Sequence, residues 1–142
     1  MRTRTLEPSL STLIKQADTV FSEFIRLRDS RGGMVKCFIC GYAMPWRQSQ
    51  NMHFIDRDQM PTRYDEMNCH AGCEECNCFD TQHQERYEAK LLEILTPEGL
   101  EHLKQKSRGL QKFMKYEVLE IIETYKAKIL ELRSQILPGN SG

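Results

Sequence analysis

The chain has 142 residues, of which 39% are hydrophobic and 28% charged, and its net charge at pH 7 is zero. These values suit one globular domain with at most a helical extension, and they exclude an intrinsically disordered chain. No apolar run approaches the roughly 18 residues of a membrane-spanning helix, and the N-terminus MRTRTLEPSL lacks the apolar core of a signal peptide, so we expect a cytoplasmic location.

The first predicted element is an amphipathic helix over residues 9–29, for which Ser9 or Ser11 is the cap. Its apolar side chains recur at helical spacing. They are Leu10, Leu13, Ile14, Ala17, Phe21, Phe24 and Ile25. Two glycines at positions 32 and 33 end the pattern, so residues 1–33 are predicted to form an N-terminal helical region.

Residues 34–95 are predicted to form a zinc-stabilised core. Residues 35–58 look like a zinc knuckle followed by a short hairpin, in which HFI (53–55) is a strand. The following stretch, DQMPTRYDEMN, is typical of a polar loop. We expect one short helix to begin near Cys73 and another to cover about residues 83–95.

Residues 96–137 are predicted to form a C-terminal helical extension, and residues 138–142 a mobile tail. Thr96 is a helix cap with Pro97 in the first turn, and a break near Gly109 precedes a long helix over residues 113–136. The apolar stripe of that helix comprises Met114, Val118, Ile121 or Ile122, Tyr125, Ile129, Leu132 and Ile136. The stripe could join two chains in a homodimer, but we favour packing on the N-terminal helix.

Four of the six cysteines form two C-x-x-C pairs, Cys37 with Cys40 and Cys73 with Cys76. Four thiolates at this spacing are typical of a tetrahedral structural Zn²⁺ site. Unrelated buried cysteines are a weaker interpretation, and a thioredoxin-like redox role is weaker still because neither pair lies in a βαβ pattern. The two remaining cysteines, at positions 69 and 78, are free thiols or competing ligands. Knuckle, hairpin, loop and helix in this order form a treble-clef arrangement.

Three polar residues accompany the cysteine pairs in the order His53, Asn68, Asn77. In this order the chain resembles the HNH nucleases, in the variant whose last histidine is asparagine. It resembles more closely the NinG/Rap family of bacteriophage recombination nucleases, from about residue 13 to residue 133. The segments that carry this resemblance are FIRLRD, CFICG, HF, RYDEMNCHAGCEECN, YEAKL and YKAKILELR. The block over residues 63–77 is the most specific of them.

The resemblance implies an α+β, mainly helical fold, in which a small treble-clef ββα-metal zinc core lies between an N-terminal helix and a long C-terminal helix. It implies a metal-dependent, structure-specific endonuclease that acts on branched DNA such as Holliday junctions and D-loops. If a phage encodes the chain, the cytoplasm is that of the host cell. A non-catalytic zinc module that binds nucleic acid or a recombination protein is the alternative. A toxin-like nonspecific nuclease would need a more basic surface.

By resemblance, His53 is the general base, and Asn68 holds the catalytic loop or orients the imidazole. Asn77 would help to bind a catalytic Mg²⁺ or Mn²⁺ ion, and His83 stands where the family commonly has an asparagine, so it is a second candidate ligand. The zinc would take no part in the reaction, because four thiolates leave no open coordination position. Alternatively, His53 is a packed structural residue. The alternative role of Asn77 is a hydrogen bond to nearby backbone groups.

One departure from the family concerns the residue before the histidine, which is usually glycine and is Met52 here. Many HNH enzymes have an acidic or histidine metal ligand at that position, which methionine cannot replace. Asp56, Asp65 and Glu66 are the candidates for the missing carboxylate, and the sequence does not distinguish among them.

Charge is distributed unevenly along the chain. Residues 37–88 carry four basic and nine acidic side chains. Residues 1–36 carry seven basic and four acidic side chains, and residues 89–142 carry nine basic and seven acidic ones. An acidic centre between basic flanks suits a site for divalent cations with phosphate contacts at its edges. The candidate DNA contacts are Arg47, Arg57 and Arg63. Trp46 could contact a DNA strand or pack within the hairpin.

Overall fold

The computed structural model describes residues 7–79 and 82–136, without the side chain of Phe79. The elements in chain order are α1 (Leu10–Arg28), β1 (Ser30–Arg31), β2 (Met34–Lys36), β3 (Ala43–Pro45), β4 (Gln50–His53), β5 (Cys69–Gly72), α2 (His83–Ser107) and α3 (Lys115–Ile136). This is the predicted α+β fold, with small sheets and a four-cysteine cluster between the N- and C-terminal helices. The predicted mobile tail, residues 138–142, lies outside the described residues.

Helix α1 agrees closely with its predicted range. Ser9 caps it, since the Ser9 hydroxyl accepts a hydrogen bond from the Thr12 amide at 3.2 Å. The apolar stripe of α1 is buried against α3, where Val118, Ile122 and Ile129 are the buried side chains. The two helices therefore cover each other, as amphipathic helices in a small protein are expected to do.

A homodimer through α3 stays a prediction. The stripe that was its candidate seam contacts α1 within the same chain, as described above. Leu119 and Leu130 of α3 are exposed, and the latter keeps 71% of its surface accessible. A second chain that binds α3 would have to contact these outer side chains, and light scattering in solution would detect it.

The strands form two small antiparallel sheets. In the first, β2 lies between β1 and β3, and the link from β2 to β3 is the Cys37–Cys40 knuckle, which Gly41 closes at φ 80°. In the second, β4 pairs with β5, so that His53 lies opposite Cys69. The predicted HFI strand and its local hairpin were wrong in detail. The strand ends at His53, and a loop of fifteen residues separates it from its partner, β5.

Helix α2 is interrupted at Thr96, whose φ of 66° and ψ of 162° are not helical. Proline disfavours the helical conformation of the residue before it, so Pro97 ends the first segment and begins the second. The Thr96 hydroxyl accepts a hydrogen bond from the Gly99 amide at 3.3 Å, which makes Thr96 the predicted cap. The expected helices on either side of residue 96 are thus confirmed.

The FIRLRD segment ties α1 to the second sheet. Arg28 donates hydrogen bonds to the carbonyl oxygens of Glu66 and Cys69 at 2.8 and 2.7 Å. Asp29, beside it, accepts one from the Ala71 amide at 2.8 Å. These two charged residues therefore fix β5 against the end of α1.

None of the helices among the described residues is long and apolar enough to span a membrane.

Candidate functional site

The two cysteine pairs meet in one cluster. The Sγ atoms of Cys37, Cys40, Cys73 and Cys76 all lie within 4.8 Å of one another, and those of Cys40 and Cys73 are 3.7 Å apart. A tetrahedral zinc ion with Zn–S bonds of about 2.3 Å would place sulfurs about 3.8 Å apart. The four thiols could therefore hold a structural zinc ion as predicted, which would join the β2–β3 turn to the end of β5.

The two other cysteines are outside this cluster. Cys69 is buried in β5, and its burial raises the pKa of the thiol far above the ordinary value. Cys78 is exposed. Neither thiol joins the four-cysteine group, so the sequence alternative in which one of them competes as a ligand receives no support.

A cavity of about 590 Å³ opens beside this frame. Its lining includes His53, Asn77 and His83, which the sequence analysis singled out. They come from three different places: the end of β4, the π-helical turn Glu75–Phe79, and the start of α2. The β4–β5 pairing and the cysteine cluster together bring them to one cavity.

The ring of His53 has a defined tautomer. Its Nε2 lies 3.1 Å from the carbonyl oxygen of Arg63, and because a carbonyl can only accept, Nε2 carries the proton. Nδ1 therefore carries the lone pair, and no residue in the described part of the chain hydrogen-bonds to it. Burial lowers the pKa of His53, and the nearby charges of Arg57 and Arg63 act in the same direction. The imidazole is thus neutral at pH 7.

The carbonyl that holds His53 is itself fixed from α1. Asp18 forms a bidentate ion pair with the Arg63 guanidinium at 2.9 and 2.6 Å, and it also accepts a hydrogen bond from the Tyr64 hydroxyl at 2.9 Å. This ion pair raises the pKa of Arg63. The guanidinium of Arg63, predicted to contact DNA, is thus engaged inside the protein.

Asn68 lies behind the cavity and does not line it. The side chain is completely buried and bonds to Ile55 through both ends of the amide, at 2.8 Å from the Ile55 amide and 3.0 Å from its carbonyl oxygen. The same amide nitrogen donates to the Thr62 carbonyl at 3.1 Å. Asn68 therefore holds the loop between His53 and β5 in place.

Asn77 and His83 each have an atom with a free lone pair that could bind a metal ion at the cavity. The Asn77 amide nitrogen donates to Gln50 Oε1 at 2.7 Å, which leaves its Oδ1 available. His83 donates through Nδ1 to the carbonyl of Cys76, so Nε2 carries the lone pair. Asn51, also in the lining, has a buried Oδ1 without a hydrogen-bond partner in the described part of the chain. These atoms suit a divalent cation.

Only one of the three candidate carboxylates reaches the cavity. Asp56 lines it, whereas Asp65 binds Lys106 at 2.7 Å and Glu66 binds the Tyr125 hydroxyl at 2.8 Å. Apart from the four cysteines, the described residues contain no three histidine, cysteine or carboxylate side chains whose ligand atoms lie close enough together to hold one metal ion. A cation in this cavity would therefore depend on amide oxygens as well.

Aromatic residues near the site are structural. Trp46 is buried, which agrees with the packing alternative, and Arg47 lies over its ring at 4.5 Å. His70 is buried between Phe38 and Tyr87 and hydrogen-bonds to the Tyr87 hydroxyl at 3.0 Å. By contrast, Arg57 is exposed at the cavity and remains accessible to a ligand.

Asp18, Arg26 and Asn51 also line the cavity, although they were not among the site residues predicted from the sequence. A signal existed for Asp18, because an acidic residue lies beside the apolar stripe of α1 and interrupts its edge. No local pattern marks the other two, whose positions depend on how α1 and β4 pack.

Comparison with the curated proteins and with the solved structures finds no match. The family model described as Bacteriophage Lambda NinG protein matches residues 1–135. The match includes α1, both sheets, the four cysteines, the lined cavity, α2 and nearly all of α3. Since it covers almost the whole chain, the protein belongs to the Bacteriophage Lambda NinG protein family.

Proposed function

We propose that the protein is a metal-dependent, structure-specific DNA endonuclease that cuts branched recombination intermediates such as Holliday junctions and D-loops. Membership of the NinG family supports this proposal, as does its resemblance to the HNH nucleases. The observation that carries it is the neutral ring of His53, which lines a cavity shared with Asn77 and His83 and keeps its Nδ1 lone pair.

In the proposed reaction His53 is the general base. Nδ1 takes a proton from a water molecule, whose oxygen then bonds to phosphorus as the bond to the leaving sugar oxygen breaks. The Arg63 carbonyl oxygen stabilises the resulting imidazolium, because it already accepts a hydrogen bond from the N–H group at Nε2. The ring therefore needs no reorientation between its neutral and charged forms.

A divalent cation fits the remaining donors of the cavity. Asn77 and His83 would hold Mg²⁺ or Mn²⁺, together with Asp56, the candidate carboxylate that lines the cavity. When bound, the ion supplies positive charge to the phosphate and the leaving oxygen. Imidazole is a better ligand for Mn²⁺ than for Mg²⁺, so His83 favours Mn²⁺.

The zinc would have a structural role only. The cysteine cluster connects the knuckle to the segment that carries Asn77, and it would hold that segment against β4. Among the predicted DNA contacts, Arg57 at the cavity and Arg47 beside it would bind the sugar–phosphate backbone, and the flanking helices would contact the arms of a branched substrate.

The test is a cleavage assay on a four-way junction, a D-loop and plain duplex with Mg²⁺ or Mn²⁺. We expect metal-dependent nicking of the branched substrates, and a loss of roughly 100- to 10,000-fold in the variant His53→Ala. His102→Ala is the matched control, because His102 is exposed on α2. Equal activity of the two variants would overturn the assignment of His53.

A non-catalytic zinc module is the second candidate. It is favoured by the scarcity of carboxylate ligands in the cavity, since Asp65 and Glu66 are engaged elsewhere. Such a module would bind the junction tightly without cutting it in either metal. The same assay, read for binding as well as cleavage, distinguishes the two.

A further inference from the structure

Trp46 is surrounded by arginine side chains. The guanidinium of Arg47 lies 4.5 Å from the centre of the indole ring, that of Arg26 5.5 Å and that of Arg133 5.7 Å. The three come from different elements, since Arg26 is on α1 and Arg133 on α3, while Arg47 follows Trp46 in a 3₁₀ turn. The indole thus gathers cations from three parts of the chain.

Glu23 supplies negative charge to this group and acts on both Arg133 and Arg26. Arg133 pairs with Glu23 at 3.0 Å, whereas neither Arg26 nor Arg47 forms an ion pair with any residue that the structure describes. Arg26 uses only its Nε, which donates to the Ser22 carbonyl at 3.2 Å. Burial lowers the pKa of Arg26, the charge of Glu23 raises it, and the charge of Arg47 lowers it.

Two like charges held on one ring repel each other, and cation–π attraction to an indole offsets this only in part. An anion that bridges them would remove the repulsion and satisfy the unused guanidinium donors. A phosphate suits such a pair chemically, because planar guanidinium groups bind its oxygens through paired hydrogen bonds.

The position of Arg26 indicates which phosphate this is. Arg26 lines the same cavity as His53, together with Ser49 and Gln50 of the segment between Trp46 and His53. A DNA strand with one phosphate at His53 would continue along this wall toward Trp46. The indole is only 7% exposed, so it supports the two arginines and is not a stacking platform for a base.

We propose that Arg26 and Arg47, held on Trp46, bind a backbone phosphate that neighbours the scissile one on the same DNA strand. This rests on the proposed endonuclease function. The site would fix the register of the strand in the cavity without reading its sequence, as phosphate contacts do. Arg26 thereby joins Arg47 as a DNA contact.

Trp46 is the sole tryptophan of the chain, so its fluorescence reports on this site directly. The experiment titrates a four-way junction into His53→Ala protein, which prevents cleavage, at several salt concentrations. We expect DNA to change the Trp46 emission. Arg26→Gln and Arg47→Gln should each weaken binding by roughly five- to tenfold and reduce the slope of log Kobs against log salt by about 1.

Matched variants separate this site from general charge effects. Arg31→Gln removes the same charge from an exposed arginine that does not line the cavity, and it should leave the salt slope unchanged. Arg47→Lys keeps the charge but loses the paired hydrogen bonds, so it should preserve the salt slope while still weakening binding. Circular dichroism confirms that each variant is folded before its binding is measured.

A substrate series locates the phosphate. Each phosphate of one junction strand is replaced in turn by an uncharged methylphosphonate. Binding of each substrate is then measured for the His53→Ala protein with both arginines intact and for the same protein with Arg26→Gln and Arg47→Gln. We expect one position where the replacement weakens binding, and where this loss disappears in the double variant. Losses that stay the same in both proteins at every position would overturn the proposal.

The two proposals can fail separately. A protein that cuts junctions but shows no coupling between the arginines and any phosphate lacks this phosphate site. A protein that shows the coupling but cuts no DNA in Mg²⁺ or Mn²⁺ has the phosphate site without the nuclease activity. Absence of DNA binding by the His53→Ala protein and by the unmodified protein would overturn the phosphate site.

Discussion

Met52 occupies the space that a side chain at position 72 would need. A Cβ atom built on Gly72 would lie 2.2 Å from Sδ of Met52 and 2.3 Å from its Cε. Met52 is completely buried, and the two residues lie on paired strands. The bulk of Met52, directly beside His53 in the chain, is thus accommodated by a glycine on the neighbouring strand.

This packing predicts that Gly72→Ala destabilises the protein. Overpacking a filled core typically costs about 1 to 3 kcal/mol. The free energy of unfolding in urea, at saturating zinc, measures the effect. Gly99→Ala is the control, because a Cβ there meets Leu95 Cβ at an ordinary 3.4 Å. The double variant Met52→Ala/Gly72→Ala should cost less than the sum of its single changes, and strict additivity would contradict the packing described.

Zinc removal is predicted to unfold the centre of the molecule. The cluster joins the β2–β3 turn of one small sheet to the end of β5 in the other, and metal binding to such a site contributes directly to folding. Chelation should therefore abolish the near-ultraviolet dichroism of Trp46 and Tyr87. Cys73→Ser should lose the metal in native mass spectrometry, whereas Cys78→Ser should keep one zinc ion per chain. Equal zinc contents in these two variants would refute the assigned ligands.

Asp18 is predicted to position His53 through Arg63. Asp18→Asn weakens the ion pair that fixes the Arg63 carbonyl, so we expect kcat to fall by roughly 10- to 100-fold with little change in KM. The Asp18 charge also raises the pKa of His53. Its removal should shift the acid limb of the pH–rate profile, which reports His53 losing its proton, to lower pH.

Asp58→Asn is the control for this effect, because Asp58 is exposed in the loop between β4 and β5 that also carries Arg63. It should change neither kcat nor the position of the acid limb. If Asp18→Asn lowered thermal stability but left the acid limb in place, Asp18 would be structural only.

Burial of His70 predicts a loss of stability in acid. Desolvation, helped by the charge of Arg28, lowers the pKa of His70 to about 4, against an ordinary value of about 6.5 in an unfolded chain. The unfolded state therefore binds a proton more readily. The stabilisation is complete above pH 6.5 and is lost as the pH falls toward 4, by about 2 to 3 kcal/mol.

Urea unfolding measured between pH 7.5 and pH 5 tests this dependence. His70→Gln removes the titrating group, so its stability should fall less steeply with decreasing pH than that of the unsubstituted protein. The exposed His102 provides the comparison, since His102→Gln should follow the unsubstituted curve. Parallel curves for all three proteins would show that His70 does not titrate as described.

Local patterns were sufficient for the helices and the metal frame. The three- and four-residue spacing of apolar side chains identified α1 and α3 to within two residues at each end. Proline chemistry located the interruption at Thr96, and C-x-x-C spacing identified the four thiols. Each of these features depends on residues that are close together in sequence, where the physical constraints are strongest.

Features that depend on distant residues could not be predicted from one sequence. A loop of fifteen residues separates β4 from its partner β5, and nothing in that loop indicates the register of the pairing. The ion pair of Asp18 with Arg63 joins residues 45 positions apart, and the fit of Met52 to Gly72 requires the same pairing of strands. Arg26 shows no pattern at all, because only the packing of α1 brings it to Trp46.

The connection of His53 to Asp18 through Arg63 limits how far the proposed nuclease core can be reduced. An excised fragment of residues 34–95 would keep all four thiols and could still take up metal, yet it would lack the helix that steadies the imidazole. Such a minimal peptide should therefore be metallated and inert. If the proposed activity is correct, the smallest active fragment would have to include the first helix, and fusion of residues 34–95 alone to another protein would not transfer the activity.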